Sequence, residues 1–318
     1  GEGEFKLTVK NSVDKLRAAF FTEILFKNNK TMKELEKINN EYHYGFKEGY
    51  FQIALIKIDG LDNTKNNVSY IQEKIIILNY DKESKKTIRL SLKKVIDELC
   101  LQKNVLESLN LTLGIGLLED EVINLNHSLK TAMWAIEQRI VIGVNRLIEG
   151  EDRSLNDIAD SEVFHEFNKM MLDGLESLDE NQVRQAFQFL EQALEQKDGL
   201  TGHEVIQMSK EAINLYLFTM KKNKFHVAGG ESFFEDCSEQ INHLESYKKI
   251  LSYVTEMVIT SFKQALSDKA SEDTKPIRDA KKYIKENYKE PVSLELVSDY
   301  VGFNSAYFST LFKKETGV

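Results

Sequence analysis

Strand-like patterning is confined to one part of this chain of 318 residues, and this confinement restricts the possible folds more than any other feature. Short runs there are rich in β-branched and apolar residues, whereas helical spacing prevails on both sides. The predicted strands are Tyr50–Asp59, Glu73–Tyr80, Leu111–Gly116 and Val141–Leu147. Helices are predicted between them at Ile88–Leu101 and Ser128–Arg139. The first has an apolar stripe on one face, formed by Leu92, Val95, Ile96 and Leu99. Strands and helices that alternate in this way predict an α+β domain over residues 46–152, with helices on one face of a sheet.

Helical segments are predicted before and after this domain. Residues 1–45 contain two predicted helices, Val9–Phe26 and Met32–Asn40, of which the first is amphipathic. Residues 153–268 form a helical region without strand signals. Apolar residues recur there at helical spacing, as at Val183, Phe187, Leu190 and Leu194.

A second apolar stripe in the helical region has spacings of three and four over about three heptads. Its members are Leu244, Tyr247, Leu251, Val254, Val258, Ser261 and Ala265. The stripe has two interpretations: a helix that dimerises with a second copy, and a helix buried in the bundle of its own chain. Ser261 and Ala265 weaken the apolar seam and favour the second interpretation.

The segment Ser267–Thr274 is polar and lacks periodicity, which predicts a linker. The charge balance changes at the same place. Residues 274–318 carry eight Lys or Arg and six Asp or Glu, a net charge of +2, whereas the rest of the chain carries −11. A mildly basic end on an acidic body is typical of a DNA-reading segment attached to another domain.

Residues 274–318 contain the most specific pattern in the chain. A helical stripe over Ile277–Tyr288 stops near Pro291, and Ser293 is a good N-cap for a short helix that follows. Gly302 supplies a sharp turn, and Asn304 or Ser305 caps a second helix. The residues expected to face inward are Leu294, Val297, Val301, Phe308, Leu311 and Phe312. Helix, glycine turn and helix at this spacing predict a helix-turn-helix, whose second helix would enter the major groove.

The candidate DNA-binding residues lie on this second helix and at the two caps. Small polar side chains on its outer face would let the helix sit deep in the groove and bond to base edges. Two lysines near its far end would meet phosphates. The candidates are Ser293, Asn304, Ser305, Ala306, Tyr307, Ser309, Thr310, Lys313 and Lys314. A short αα-hairpin without a DNA-binding role would also have a polar outer face, so both interpretations are open on the pattern alone.

The stretches Ile277–Tyr288, Val292–Val297 and Val301–Gly317 closely resemble the first half of the DNA-binding domain of AraC/XylS-type transcription regulators. The resemblance implies two helix-turn-helix units, joined by a long helix, that read successive faces of the major groove. The sequence ends at Val318, where that joining helix would begin, so we expect the chain to be part of a longer protein. Thr310 stands where many members carry a longer basic side chain, which implies different base contacts.

The segment Tyr50–Gly150 resembles, less tightly, the degenerate nucleotide-cyclase-like (GGDEF-type) domains of some AraC-type response regulators, which implies a ferredoxin-like sheet. In active relatives, an Asp at the end of the first strand holds metal beside a glycine-pair turn. Asp59 matches that Asp, but Asp81–Ser84 follows the second strand without a glycine pair. A single carboxylate cannot assemble a two-metal site, so we expect Asp59 to be a strand-end or turn residue.

Other chemistry-bearing motifs are sparse. The six histidines are scattered without ligand spacing, and Cys100 and Cys237 are isolated, as expected of reduced thiols in a cytoplasmic protein. No apolar run approaches the roughly 18 residues that a membrane span requires. We therefore expect a protein without a cofactor, a metal, a catalytic site or a membrane partner.

Taken together, the resemblances imply a sequence-specific transcription regulator that is the output part of a two-component response regulator. Its implied partners are double-stranded DNA, a second copy in a homodimer, and a cognate sensor kinase that acts through a receiver domain outside this sequence. One alternative is an AraC-type regulator that senses a small ligand in its α+β domain. Others are an interaction module whose central and helical regions dimerise, and a divergent nucleotide cyclase, against which the missing glycine turn argues.

Overall fold

The structure is a computed structural model that describes residues 15, 17–26, 35–59, 73–101, 110–152, 161–223, 225–230, 232–303 and 305–316. It has mixed α and β structure, as expected. Helix α1 covers residues 17–26, and the elements that follow are α2 (Leu35–Tyr42), β1 (Tyr50–Asp59), β2 (Glu73–Tyr80), α3 (Lys85–Leu101), β3 (Asn110–Ile115), α4 (Leu125–Ile142) and β4 (Leu147–Glu149). The remaining helices are α5 (Glu162–Glu176), α6 (Glu180–Glu195), α7 (Gly202–Lys222), α8 (Ser232–His243), α9 (Tyr247–Asn287), α10 (Leu294–Tyr300) and α11 (Ser305–Thr316).

Two compact units make up the chain. The first comprises Gly1–Phe164, Glu191–Ser209 and Ser238–Tyr253, and the second comprises His165–Leu190, Lys210–Cys237 and Val254–Val318. The first unit contains the sheet. The elements described in the second unit are all helices, and they include α10 and α11.

The sheet of the first unit has the strand order β2-β1-β3-β4. Strand β1 is antiparallel to both β2 and β3, and β3 is parallel to β4. This topology brings the beginning of β1 and the ends of the other three strands to one end of the sheet. Asp59, the last residue of β1, lies at the opposite end, where it pairs with Asn110.

Helices cover both faces of the sheet, so the expectation of helices on one face is wrong. On one face, β1 residues such as Ile53 pack with α4 and with Phe20 and Ile38 of the first two helices. On the other face, Ala54 of β1 packs with Ile96 of α3. The sequence of β1 agrees with this arrangement. Successive residues of a strand point to opposite faces, and Ile53, Ala54 and Leu55 are all buried, so both faces of β1 are covered.

Two local expectations in this unit are also wrong. Val95 and Leu99 of α3 are 51% and 41% exposed, and only Ile96 of the predicted stripe is fully buried. The apolar run Val141–Leu147 is not a strand, because α4 continues to Ile142 and ends at Gly143, whose φ is +97°. The last strand is the shorter segment β4.

The helical stripes of residues 153–268 are largely confirmed. Val183, Phe187, Leu190 and Leu194 of α6 are all buried. In the second stripe, the residues from Leu251 to Ala265 are buried within the single chain, which favours the bundle interpretation over a dimer seam. Leu244 precedes α9 and lies outside the helix.

The expected linker Ser267–Thr274 is instead part of α9, which runs without a break from Tyr247 to Asn287. The physical reason is that this polar segment contains no Gly or Pro, and most of its side chains are compatible with a helix. Pro276 lies inside α9 and removes one backbone donor from its ladder. The helix ends at Asn287, four residues before Pro291.

The helices α10 and α11 share a small core with the end of α9. Ile277, Ala280, Val297 and Phe308 are buried there, with Val301 and Phe312 partly buried around them. Leu294, expected to face inward, is 48% exposed.

Within the described part of the chain, no helix combines the length and the apolar character that a membrane span requires.

Candidate functional site

The turn between α10 and α11 is held by local backbone geometry. Gly302 adopts a φ of +77°, a conformation that residues with a Cβ rarely take. Its N–H donates to the Asp299 carbonyl at 3.1 Å, and the Phe303 N–H donates to the Ser298 carbonyl at 2.9 Å. These bonds satisfy carbonyls at the end of α10 and fix the direction in which the chain leaves it.

Two predicted site residues make bonds within the chain. Ser293 caps α10, because its Oγ accepts a hydrogen bond from the Leu296 N–H at 3.2 Å. The Oγ of Ser305 lies 2.9 Å from the Oγ of Ser298, a fully buried residue of α10. Both side chains therefore stabilise the two-helix arrangement.

Ser309 and Lys313 of α11 are both exposed. They are four residues apart, so they lie on the same face of the helix, away from the buried ring of Phe308. The side chains of Ala306, Tyr307, Thr310 and Lys314 lie outside the described structure, although their backbone belongs to α11. Asn304 lies outside the described residues altogether.

Asp59 makes a buried ion pair that the sequence did not reveal. Arg139 of α4 donates from Nε to Oδ2 at 2.9 Å and from Nη2 to Oδ1 at 3.1 Å. The same guanidinium donates to the carbonyl of Asn242, the second-last residue of α8, at 2.9 Å. Both carboxylate oxygens of Asp59 are thus bonded to Arg139. Among the described residues, no three His, Cys, Asp or Glu side chains form a group that could hold a metal ion.

A cleft of about 410 Å³ opens at the other end of the sheet from Asp59. It lies where β2, β3 and β4 end and where β1 begins. The residues that line it are Gln52, Tyr80, Lys85, Arg89, Leu92, Ile115, Gly116, Leu117, Leu118, Glu119, His127, Glu149 and Gly150. Its size falls in the range of small-molecule sites in proteins.

Hydrogen bonds fix the floor of this cleft. The Tyr80 hydroxyl donates to Oε1 of Gln52 at 2.7 Å, and Nε2 of Gln52 donates to the Gly116 carbonyl at 2.7 Å. Burial, with a smaller effect of Tyr50, raises the pKa of Tyr80 to about 12, so this hydroxyl stays protonated at neutral pH. A Cβ on Gly116 would lie 1.8 Å from the Ser128 carbonyl oxygen, so only glycine permits this approach of α4 to the strand end.

Charged groups at the rim of the cleft form two clusters. Lys85 and Arg89 lie one turn apart on α3, and Arg89 forms an ion pair with Glu149. In the second cluster, Nδ1 of His127 donates to Oε1 of Glu119 at 2.6 Å. The sequence offered no signal for this cleft, because its residues come from six separate elements or their ends.

Comparisons with family models, with curated proteins and with solved structures gave no match for this chain.

Proposed function

We propose that this chain is a sequence-specific DNA-binding transcription regulator of the AraC type, with α11 as its recognition helix. The observation that carries the proposal is the pair of exposed side chains, Ser309 and Lys313, on the outer face of a helix fixed by the turn at Gly302. A serine hydroxyl can donate to or accept from a base edge, and a lysine one turn further along can reach a phosphate.

The arrangement of α10 and α11 supports this proposal physically. Recognition of DNA requires a helix that is rigid relative to its neighbour, because a mobile helix must be ordered on binding, and the entropy lost in this ordering lowers the affinity. The shared core around Phe308, the Ser293 cap and the bond between Ser298 and Ser305 supply that rigidity. The net charge of +2 over residues 274–318 favours approach to phosphates, although the whole chain is acidic.

The wider assignment rests on the sequence resemblances. We propose that the chain acts in the cytoplasm as the output part of a two-component response regulator and binds DNA as a homodimer. Its α+β domain would then be a degenerate, ferredoxin-like relative of nucleotide cyclases without catalysis. Phosphotransfer from the cognate kinase to the complete protein would separate this proposal from a regulator that responds to a small ligand alone.

The test of DNA binding is a salt series with the 318-residue chain and a mixed-sequence duplex. Because Lys313 would contact a phosphate, Lys313→Ala should weaken binding to all sequences and reduce the slope of log K against log[salt] by about 1. Lys93→Ala is the matched control, since Lys93 is an exposed lysine of α3 with the same charge. Equal slopes for the two variants, or no binding at low salt, would contradict the proposal.

A further inference from the structure

The cleft at the end of the sheet has a positive side. Lys85 has no ion-pair partner in the described part of the chain, whereas the charge of Arg89 is balanced by Glu149. These three groups therefore carry a net charge of +1. Lys85 is also the first residue of α3, a helix of 17 residues, so the positive end of the helix dipole adds to its charge.

A second charged cluster at the rim of the cleft is negative and forms its negative side. His127 lies between two carboxylates, with Nδ1 at 2.6 Å from Glu119 and Nε2 at 3.5 Å from Asp152. Glu119 and His127 line the cleft, whereas Asp152 lies beyond its lining. One imidazole can neutralise one carboxylate at most, so the three groups together carry a net negative charge whether or not the imidazole is protonated. The Glu119 side chain is only 12% exposed, so water has little access to its carboxylate. A hydrogen-bond donor from a ligand would therefore lower the free energy of this carboxylate.

Apolar side chains line the cleft together with these two charged clusters. Leu92 of α3, Ile115 at the end of β3 and Leu117 line the same cleft. A ligand that fits all three features has an anionic group, a cationic group and an apolar part, in a volume of about 410 Å³. Small zwitterions meet this description, whereas a simple anion or a neutral sugar leaves one charged side unmatched.

We propose that this cleft binds a small zwitterion with an apolar side chain, namely a free α-amino acid or a dipeptide. The ligand carboxylate bonds to Lys85, its ammonium group bonds to Glu119, and its side chain contacts Leu92 and Ile115. The Tyr80 hydroxyl and Gln52 keep the floor of the cleft rigid. This site goes beyond the proposed DNA-binding function and does not rest on it.

The test is isothermal titration calorimetry of the 318-residue chain with leucine, methionine, phenylalanine and alanyl-leucine. N-acetyl-leucine lacks the ammonium group and leucine amide lacks the carboxylate, so each should bind at least about tenfold more weakly than leucine. Binding by the free amino acids or by the dipeptide alone identifies which source of zwitterion the cleft takes. If none of the zwitterions binds, or if N-acetyl-leucine binds as well as leucine, the proposal is wrong.

Variants of the protein give an independent readout. Lys85→Ala should weaken leucine binding at least about tenfold and abolish the preference for leucine over leucine amide. Lys86→Ala is the matched control, because Lys86 is an exposed neighbour that does not line the cleft. Because Lys85 is exposed, its removal should leave the thermal midpoint unchanged. Unaltered binding by Lys85→Ala would overturn the assignment of the positive side.

The variant Glu119→Gln tests the negative side of the cleft. It should lower the affinity for leucine but not the affinity for N-acetyl-leucine.

Discussion

Asp59 and Arg139 form a buried, bidentate ion pair between the last residue of β1 and the final turn of α4. The two side chains are 0% and 4% exposed. Such a pair contributes little compared with apolar side chains of the same volume, but removal of one partner leaves the other charge buried.

Arg139→Met should therefore destabilise the first unit by about 3–5 kcal/mol. Urea denaturation followed by far-UV circular dichroism measures this change. The double variant with Asp59→Leu should recover part of the loss, because it removes both charges. A single-variant loss below about 1 kcal/mol would mean that the pair is not desolvated as the structure has it.

At Gly116, in the floor of the cleft, there is no room for the methyl group of an alanine. Because its Cβ would lie 1.8 Å from the Ser128 carbonyl oxygen, Gly116→Ala should cost about 1–3 kcal/mol or more as α4 shifts. Gly45→Ala is the control, since nothing lies within 4 Å of a Cβ at that position. Equal thermal midpoints for the two variants would show that α4 does not approach the strand end so closely.

The start of α7 is stabilised by a reciprocal cap between Thr201 and Glu204. The Thr201 N–H donates to Oε2 of Glu204 at 2.9 Å, and the Glu204 N–H donates to Oγ1 of Thr201 at 3.2 Å. Thr201→Ala should cost about 1 kcal/mol in urea denaturation. A loss indistinguishable from zero would contradict the cap.

The same cap predicts a pH dependence of stability. Burial alone would raise the pKa of Glu204, but hydrogen bonds from Lys197 and Thr201 outweigh it and hold the pKa below the ordinary value of 4.5. A depressed pKa in the folded state adds stability above 4.5, and this stability is lost as the pH falls through the folded pKa. The difference in unfolding free energy between wild type and Glu204→Gln should therefore shrink on acidification, whereas Glu211→Gln, at an exposed position of the same helix, should show no such trend.

Phe308 should hold α11 in place. Its ring is 3% exposed within the small core shared with α9 and α10, so Phe308→Ala should cost about 3–5 kcal/mol locally. Hydrogen exchange followed by mass spectrometry should then show faster exchange in α10 and α11 with α6 unchanged. Ser309→Ala on the exposed face of the same helix should leave exchange as in the wild type. Protection of α11 that survives Phe308→Ala would show that other contacts hold it.

Local patterns predicted much of this fold and little of its longer-range geometry. The bounds of β1 and β2 follow from β-branched runs, and Gly302 and Ser293 act as their residue types indicate. The β-branched residues of Val141–Leu147 predict a strand, but those at its beginning form the end of α4, where Gly143 stops the helix. The polarity of Ser267–Thr274 predicts a linker, but polarity does not prevent a helix, and the segment belongs to α9.

The candidate sites differ in whether their residues are close together in the sequence. The helices α10 and α11 are adjacent in sequence, so their spacing alone predicts the pair. The partners Asp59 and Arg139 are 80 residues apart, and the cleft is assembled from the ends of strands that only the sheet topology brings together. No periodicity in one sequence encodes such contacts.

The most direct test of the central claim is selection of bound sequences from a pool of random duplexes by the 318-residue chain. If α11 reads base edges, the wild type and Lys93→Ala should enrich the same sequence motif, and the double variant Ser309→Ala, Lys313→Ala should lose it. A pool that stays random with the wild type, or a motif that the double variant retains, would contradict sequence recognition by α11.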